Sequence, residues 1–383
     1  MKKRLDYFDV AKGIGSLLVL IGHLQAEEIR NYSPYILPMC QWIFSFHMPF
    51  FFIISGMLIA YKNDTEKDYK TLVKKRFKGI MVPYYWFSFF YMTTVVFAYF
   101  RQQIGFGVVN LNLWYVLSGY GMRVLWFLPA LFLAEILFIF IMKKLSVKMA
   151  VIVMTVQAAV AYYFSYRNTL VEYDTTYKEV IHNAETVVLR PFIACTFIAI
   201  GYFAFKLTEQ LGKRLAEKKQ SIGSETEIIE KRKVNWIEVA VAVVLLAIGF
   251  IFMWINIEKG SVDFRSLVFR NVPVYYLCSL STSFGLILIC KNIRPFKILK
   301  FWGVNSLIFM AVHGTETVLY FAIRLAMRAN QYLTTARGYI CYAIILSIVL
   351  IYVCIMILFI NRFVPFIIGK PFTNPFKKKE KTT

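Results

Sequence analysis

Charge is scarce in this chain. Asp, Glu, Lys and Arg make up 17% of 383 residues, against roughly 25% in an ordinary soluble domain, and only 22 residues are acidic against 44 basic. A soluble globule cannot hide a composition that is 58% hydrophobic with 36 Phe, 24 Tyr and 7 Trp, and the same content excludes disorder. Cysteine is sparse too. The six, at 40, 195, 278, 290, 341 and 354, fall inside apolar runs without C-x-x-C pairing, which points away from a disulfide framework and a zinc site. No Gly-rich phosphate loop of the P-loop or dinucleotide type is present, which argues against ATP hydrolysis. What is there is an integral membrane protein. Its net charge of +22 reads as cytoplasmic loops lying against anionic lipid, and no nucleic-acid partner is expected.

About ten apolar runs are long enough to cross a hydrocarbon core, near 6–25, 35–61, 79–100, 124–142, 149–166, 188–205, 236–257, 272–290, 303–323 and 338–361. They lack the alternation of a membrane barrel, so the expected fold is an all-α membrane protein, a bundle of about ten transmembrane helices. Lys and Arg concentrate in alternate loops, which places both termini in the cytoplasm. Lys2, Lys3 and Arg4 before the run Gly15–Gly22 resemble a signal peptide, with Leu24-Gln25-Ala26 as a permissive cleavage site. Asp9 and Lys12 interrupt that run, so it is read as a retained helix facing a bundle interior. Residues 1–370 are expected to form a single polytopic domain, with a charged inner loop at 206–235 read as a solvated helical linker. Residues 371–383, ending PFKKKEKTT, read as a basic cytoplasmic tail. The outer loops at 101–123 and 167–187 are the expected specificity segments.

A charge at bilayer depth costs roughly 2.5 to 3.5 kcal/mol on insertion scales, so each ionisable residue within a span needs a partner or a purpose. The set comprises Asp9, Lys12, His23, His47, Glu135, His313 and Glu316. Lys12 and His23 are eleven residues apart, a rotation of roughly 1100°, so they share one helix face about 16 Å apart along the axis. Asp9, three residues before Lys12, is its obvious ion-pair partner. A histidine at that depth can take a proton from a hydroxyl attacking a carbonyl, or can simply bond a neighbouring helix. In the second span Pro49 follows His47 by two residues and frees a backbone carbonyl, where a kink would open a cavity, while Ser55 and Gly56 form a small patch. Lys74, Lys75, Arg76 and Lys78 lead into the third span, either as a positive-inside anchor or as a clamp for the phosphates of a nucleotide-based donor. His313 and Glu316 share a face at i, i+3, with Asn305 and Ser306 at the start of that span. Two such ligands alone make no metal site, and no metal is expected.

These pieces together resemble the membrane-bound acyltransferase-3 superfamily, especially its fucose 4-O-acetylase-like members. The resemblance rests on YFDVAKGIGSLLVLIGH (7–23), FSFHMPFFFIISG (44–56), KRFKGIMVPYY (75–85), LWFLPALFLAEI (125–136) and GVNSLIFMAVHG (303–314), in the family's order. It implies that His23 is the catalytic base with Lys12 as the basic residue that precedes it, and Asp9 beside it. It also implies that Arg76 handles an acyl-coenzyme A donor, with Lys75 and Lys78 near it. Gly79 stands where a second Arg is common in the family. The implied activity moves an acyl group, often acetyl, from cytoplasmic acetyl-CoA to a hydroxyl of a cell-surface glycan, at the plasma membrane. His47, Ser55, Glu135, Asn305, His313 and Glu316 are the expected substrate or pore-lining set. The rival from another class is a transporter or flippase for a glycan or lipid-linked intermediate, with the buried His and Glu residues as a proton relay. A noncatalytic membrane sensor or scaffold is the third.

Overall fold

The computed structural model describes residues 5–25, 36–169, 176–221, 234–257, 262–314, 318, 321, 324–325 and 335–372. The protein is an all-α membrane protein. Among the described residues the nearest approach to a strand is an isolated bridge between Asp263 and Val268. The helices are α1 (Asp6–Gln25), α2 (Ile36–Tyr61), α3 (Tyr69–Arg76), α4 (Val82–Phe100), α5 (Phe106–Ser118), α6 (Phe127–Lys144) and α7 (Val147–Thr169). They continue with α8 (Thr176–Ser221), α9 (Trp236–Ile257), α10 (Val272–Asn292), α11 (Lys297–Val304), α12 (Ser306–Val312) and α13 (Thr335–Phe363). A π-helical turn, Phe77–Met81, joins α3 to α4, and a 3-10 turn, Pro365–Ile368, follows α13.

Eight helical stretches among the described residues are long and apolar enough to cross a membrane, and each coincides with an apolar run read from the sequence. Of the other two runs, the first is the 20-residue α1, whose Asp6, Asp9 and Lys12 dilute its hydropathy. The ninth begins in α11 and α12 and continues into residues outside the described set. Two segments between the apolar runs are helical in part, one read as an outer loop and the other as a helical linker. Residues 106–118 of the outer loop form α5, which ends where Gly119 and Gly121 take φ of 78° and 84°. The linker at 206–235 continues α8 without a break as far as Ser221, and residues 222–233 lie outside the described ones. Apolar side chains on α9, including Trp236, Ile237, Val243, Ile251 and Trp254, are exposed; in a span these meet lipid rather than water.

The chain divides into two compact units, one of residues 1–18, 41–72 and 133–304 and the other of 19–40, 73–132 and 305–383. In the first, α2 and α8 cross backbone to backbone. A Cβ on Gly56 would lie 1.9 Å from the Ile198 carbonyl oxygen, and one on Gly201 would lie 2.1 Å from that of Ile53; small residues permit such approaches between membrane helices. Pro49 leaves the carbonyl of Ser45 without its helical donor, and Ser279 Oγ of α10 donates to that oxygen at 2.6 Å. The carbonyl that the proline frees is thus satisfied by a helix contact, and α2 continues through Pro49 from Ile36 to Tyr61. In the second unit, Tyr84 Oη of α4 donates to the Val116 carbonyl of α5 at 2.8 Å, and Tyr91 Oη donates to Ala311 O of α12 at 3.1 Å.

Candidate functional site

In the second unit the C-terminal part of α1 brings His23 against His313 at the end of α12, with ring centroids 5.4 Å apart. His313 is 1% exposed. Its Nδ1 lies 3.2 Å from the Phe309 carbonyl, and since a carbonyl only accepts, Nδ1 carries a hydrogen, which in a neutral ring leaves the lone pair on Nε2. That Nε2 is buried and has no hydrogen-bond partner among the described residues. A half-buried imidazole beside a buried acceptor nitrogen is an arrangement suited to a hydroxyl substrate.

The same unit holds the basic cluster. Lys74, Lys75 and Arg76 close α3 and the π-helical turn carries Lys78; the three lysines are exposed and Arg76 is half-buried. A single turn of π-helix is rare and occurs often at functional sites. Within it Gly79 is exposed and a Cβ there would meet nothing within 4 Å. Asn305, before α12, accepts at 2.8 Å from Asn361 Nδ2 of α13, and Lys370 Nζ donates to Asn361 Oδ1 at 2.7 Å. Asn305 lies eight residues before His313, about 12 Å at the rise of a helix.

The first unit holds Asp9, Lys12, His47, Ser55 and Glu135. Lys12 Nζ is 3.2 Å from Asp9 Oδ1, and Asp9 is 3% exposed. Ser55 Oγ donates to Glu135, both being buried. His47 directs Nδ1 to the Ile43 carbonyl at 2.8 Å and packs edge-on against Phe44. The sequence-derived residues therefore meet in three pairs: Asp9 with Lys12, Ser55 with Glu135, and His23 with His313. Glu316 lies outside the described residues. Tyr91, Asn361 and Lys370 escaped the sequence reading. The only local signal for Lys370 was the Pro- and Gly-bounded stretch PFIIGK just past the last span. Among the described residues no three His, Cys, Asp or Glu side chains gather as metal ligands.

Imidazole and carboxylate groups buried in apolar helices, those of His47, His313, Asp9 and Glu135, define a multi-pass membrane protein equipped for polar chemistry at bilayer depth. The chain belongs to the acyltransferase-3 family, whose model, described as an acyltransferase domain, matches residues 5–359. It is a membrane acyltransferase. No curated protein and no solved structure matches it.

Proposed function

We propose that the protein is a plasma-membrane O-acyltransferase of the fucose 4-O-acetylase-like kind, moving an acetyl group from cytoplasmic acetyl-coenzyme A to a hydroxyl of a cell-surface glycan. The observation that carries this reading is the contact of His23 with His313 in the same unit as the basic cluster around Arg76. Arg76 offers the planar fork that suits phosphate, and Lys75 and Lys78 add point charges. With the donor's phosphates held there on the cytoplasmic side, its acyl arm has only to reach up to the histidines, so the hydrophilic nucleotide need not cross the membrane.

His23 takes the proton of the acceptor hydroxyl as its oxygen attacks the thioester carbonyl. The C–S bond then breaks, the coenzyme A thiolate leaves and takes up that proton, and the new C–O bond is the ester. His313, whose Nε2 can only accept, orients a hydroxyl or an N–H at this point. The family resemblance also marks Lys12, which lies 3.2 Å from Asp9, as a catalytic residue. Residues 1–370 act as one catalytic domain in this scheme.

The test supplies labelled acetyl-coenzyme A to the inner side of vesicles containing the protein or His23→Ala, with native envelope glycan as acceptor. Base-labile label on glycan is expected with the unmodified protein, and loss of a general base lowers it by about 10²- to 10⁴-fold. Full activity in His23→Ala would remove His23 from this role. Glycan movement without ester formation would favour a transporter.

A further inference from the structure

The segment after the last helix is built onto the basic turn. Gly369 has φ of 68°, in the left-handed region, and a Cβ there would lie 2.1 Å from the Lys78 carbonyl oxygen, so the chain passes Lys78 at backbone contact where only glycine fits. Two residues hold the segment from either side. Phe366 packs edge-on against Trp86 of α4 with centroids 5.3 Å apart, and the Lys370 N–H donates to the Pro365 carbonyl at 3.1 Å. The Lys370 side chain is then held by Asn361, which is itself held by Asn305 and bonds back to Ile357 O at 2.9 Å.

Lys370 stays exposed, and its partner among the described residues is a neutral amide rather than a carboxylate. Packing around the amine pushes its pKa below the ordinary lysine value. A cation that is partly desolvated and unmatched by an anion carries a cost that a bound anion would remove. We infer that the turn Pro365–Lys370 is part of the donor mouth and that Lys370 is a further ligand for the phosphates of the acyl donor, acting beside Arg76 and Lys78. The inference rests on the acyl-coenzyme A reading above and adds to it a residue more than 290 positions away in sequence. Phosphate could also come from an anionic lipid headgroup, since the segment follows directly on a span.

The test measures coenzyme A binding by calorimetry to the full chain in nanodiscs of neutral lipid and in nanodiscs containing anionic lipid. The variants are Lys370→Gln, which keeps an N–H for Asn361 but no charge, and Lys370→Arg. The expected result in neutral lipid is a Kd raised about tenfold in Lys370→Gln and little changed in Lys370→Arg, with the difference shrinking as salt is added. Equal Kd for Lys370→Gln and the unmodified protein overturns the inference while leaving the donor reading in place. A difference that appears only with anionic lipid assigns Lys370 to the headgroup and overturns it as well. No coenzyme A binding by the unmodified protein overturns the donor reading itself. Equal weakening in Lys370→Gln and Lys370→Arg, together with a lower unfolding temperature in both, marks a structural tether and also rejects the inference.

Discussion

Gly303→Ala should damage transfer far more than its single methyl group implies. Within the first unit α11 meets α1 backbone to backbone. A Cβ on Gly303 would lie 1.6 Å from the Asp9 carbonyl oxygen, 2.6 Å from its carbon and 2.9 Å from the Gly13 nitrogen, and one on Gly13 would lie 2.1 Å from the Leu299 carbonyl oxygen. Comfortable contact needs about 3.5 Å, so the two helices must part by roughly 2 Å, and no side-chain rotamer can absorb a clash with backbone. Overpacking of this kind costs about 1 to 3 kcal/mol in stability. The larger effect falls on geometry, because the displaced stretch carries the Asp9–Lys12 pair, and a 1 Å misplacement can cost about 10²-fold in rate. The assay is acetyl transfer in vesicles at matched protein level, with thermal unfolding measured in parallel. Gly79→Ala is the control, since a Cβ there meets nothing within 4 Å. Activity of Gly303→Ala within about threefold of the unmodified protein, or equal damage from Gly79→Ala, would refute the argument.

The open space at Gly79 also permits a gain. Gly79→Arg adds a guanidinium one helical turn after Arg76 and should tighten coenzyme A binding by about tenfold, the effect of one added charge-assisted contact; calorimetry showing unchanged or weaker binding would count against a donor clamp at the π-helical turn. Lys370 supplies a pH signature. Because burial lowers its pKa, the amine is charged only below that lowered value, and its contribution to phosphate binding fades as pH rises through it. Competitive amine labelling should place Lys370 below the ordinary lysine range, and bound coenzyme A should shift it back up; an unshifted amine that ignores coenzyme A would contradict this.

Hydropathy alone located most of the helices, because a span must satisfy its backbone internally and be apolar along its length. It missed α5 for a physical reason. FGVVNLNLWYVLS is 13 residues long, too short to span, and its two asparagines soften the apolar signal. Contacts inside one turn were legible: Asp9 and Lys12 sit at i, i+3, and a proline announces the carbonyl it frees. Which distant donor satisfies that carbonyl was not, because Ser279 lies more than 230 residues from Ser45. The same limit hid the meeting of His23 with His313, and of Ser55 with Glu135. Period and composition describe a helix face, whereas these pairs depend on which faces are brought together. The π-helical turn after Arg76 has no residue preference from which it could have been read.

The Asp9–Lys12 pair bears on why charge is tolerated in α1 at all. Replacing a buried ion pair by well-packed apolar residues is often neutral or stabilising, so stability does not account for it. Asp9 is buried while the Lys12 side chain keeps 21% of its surface, so the carboxylate is the fixed member and the ammonium the accessible one. A purely structural pair has no need of that asymmetry. A pair that offers an ammonium to a bound group does, because the buried carboxylate fixes the position of Lys12 while the lysine side chain keeps part of its surface open.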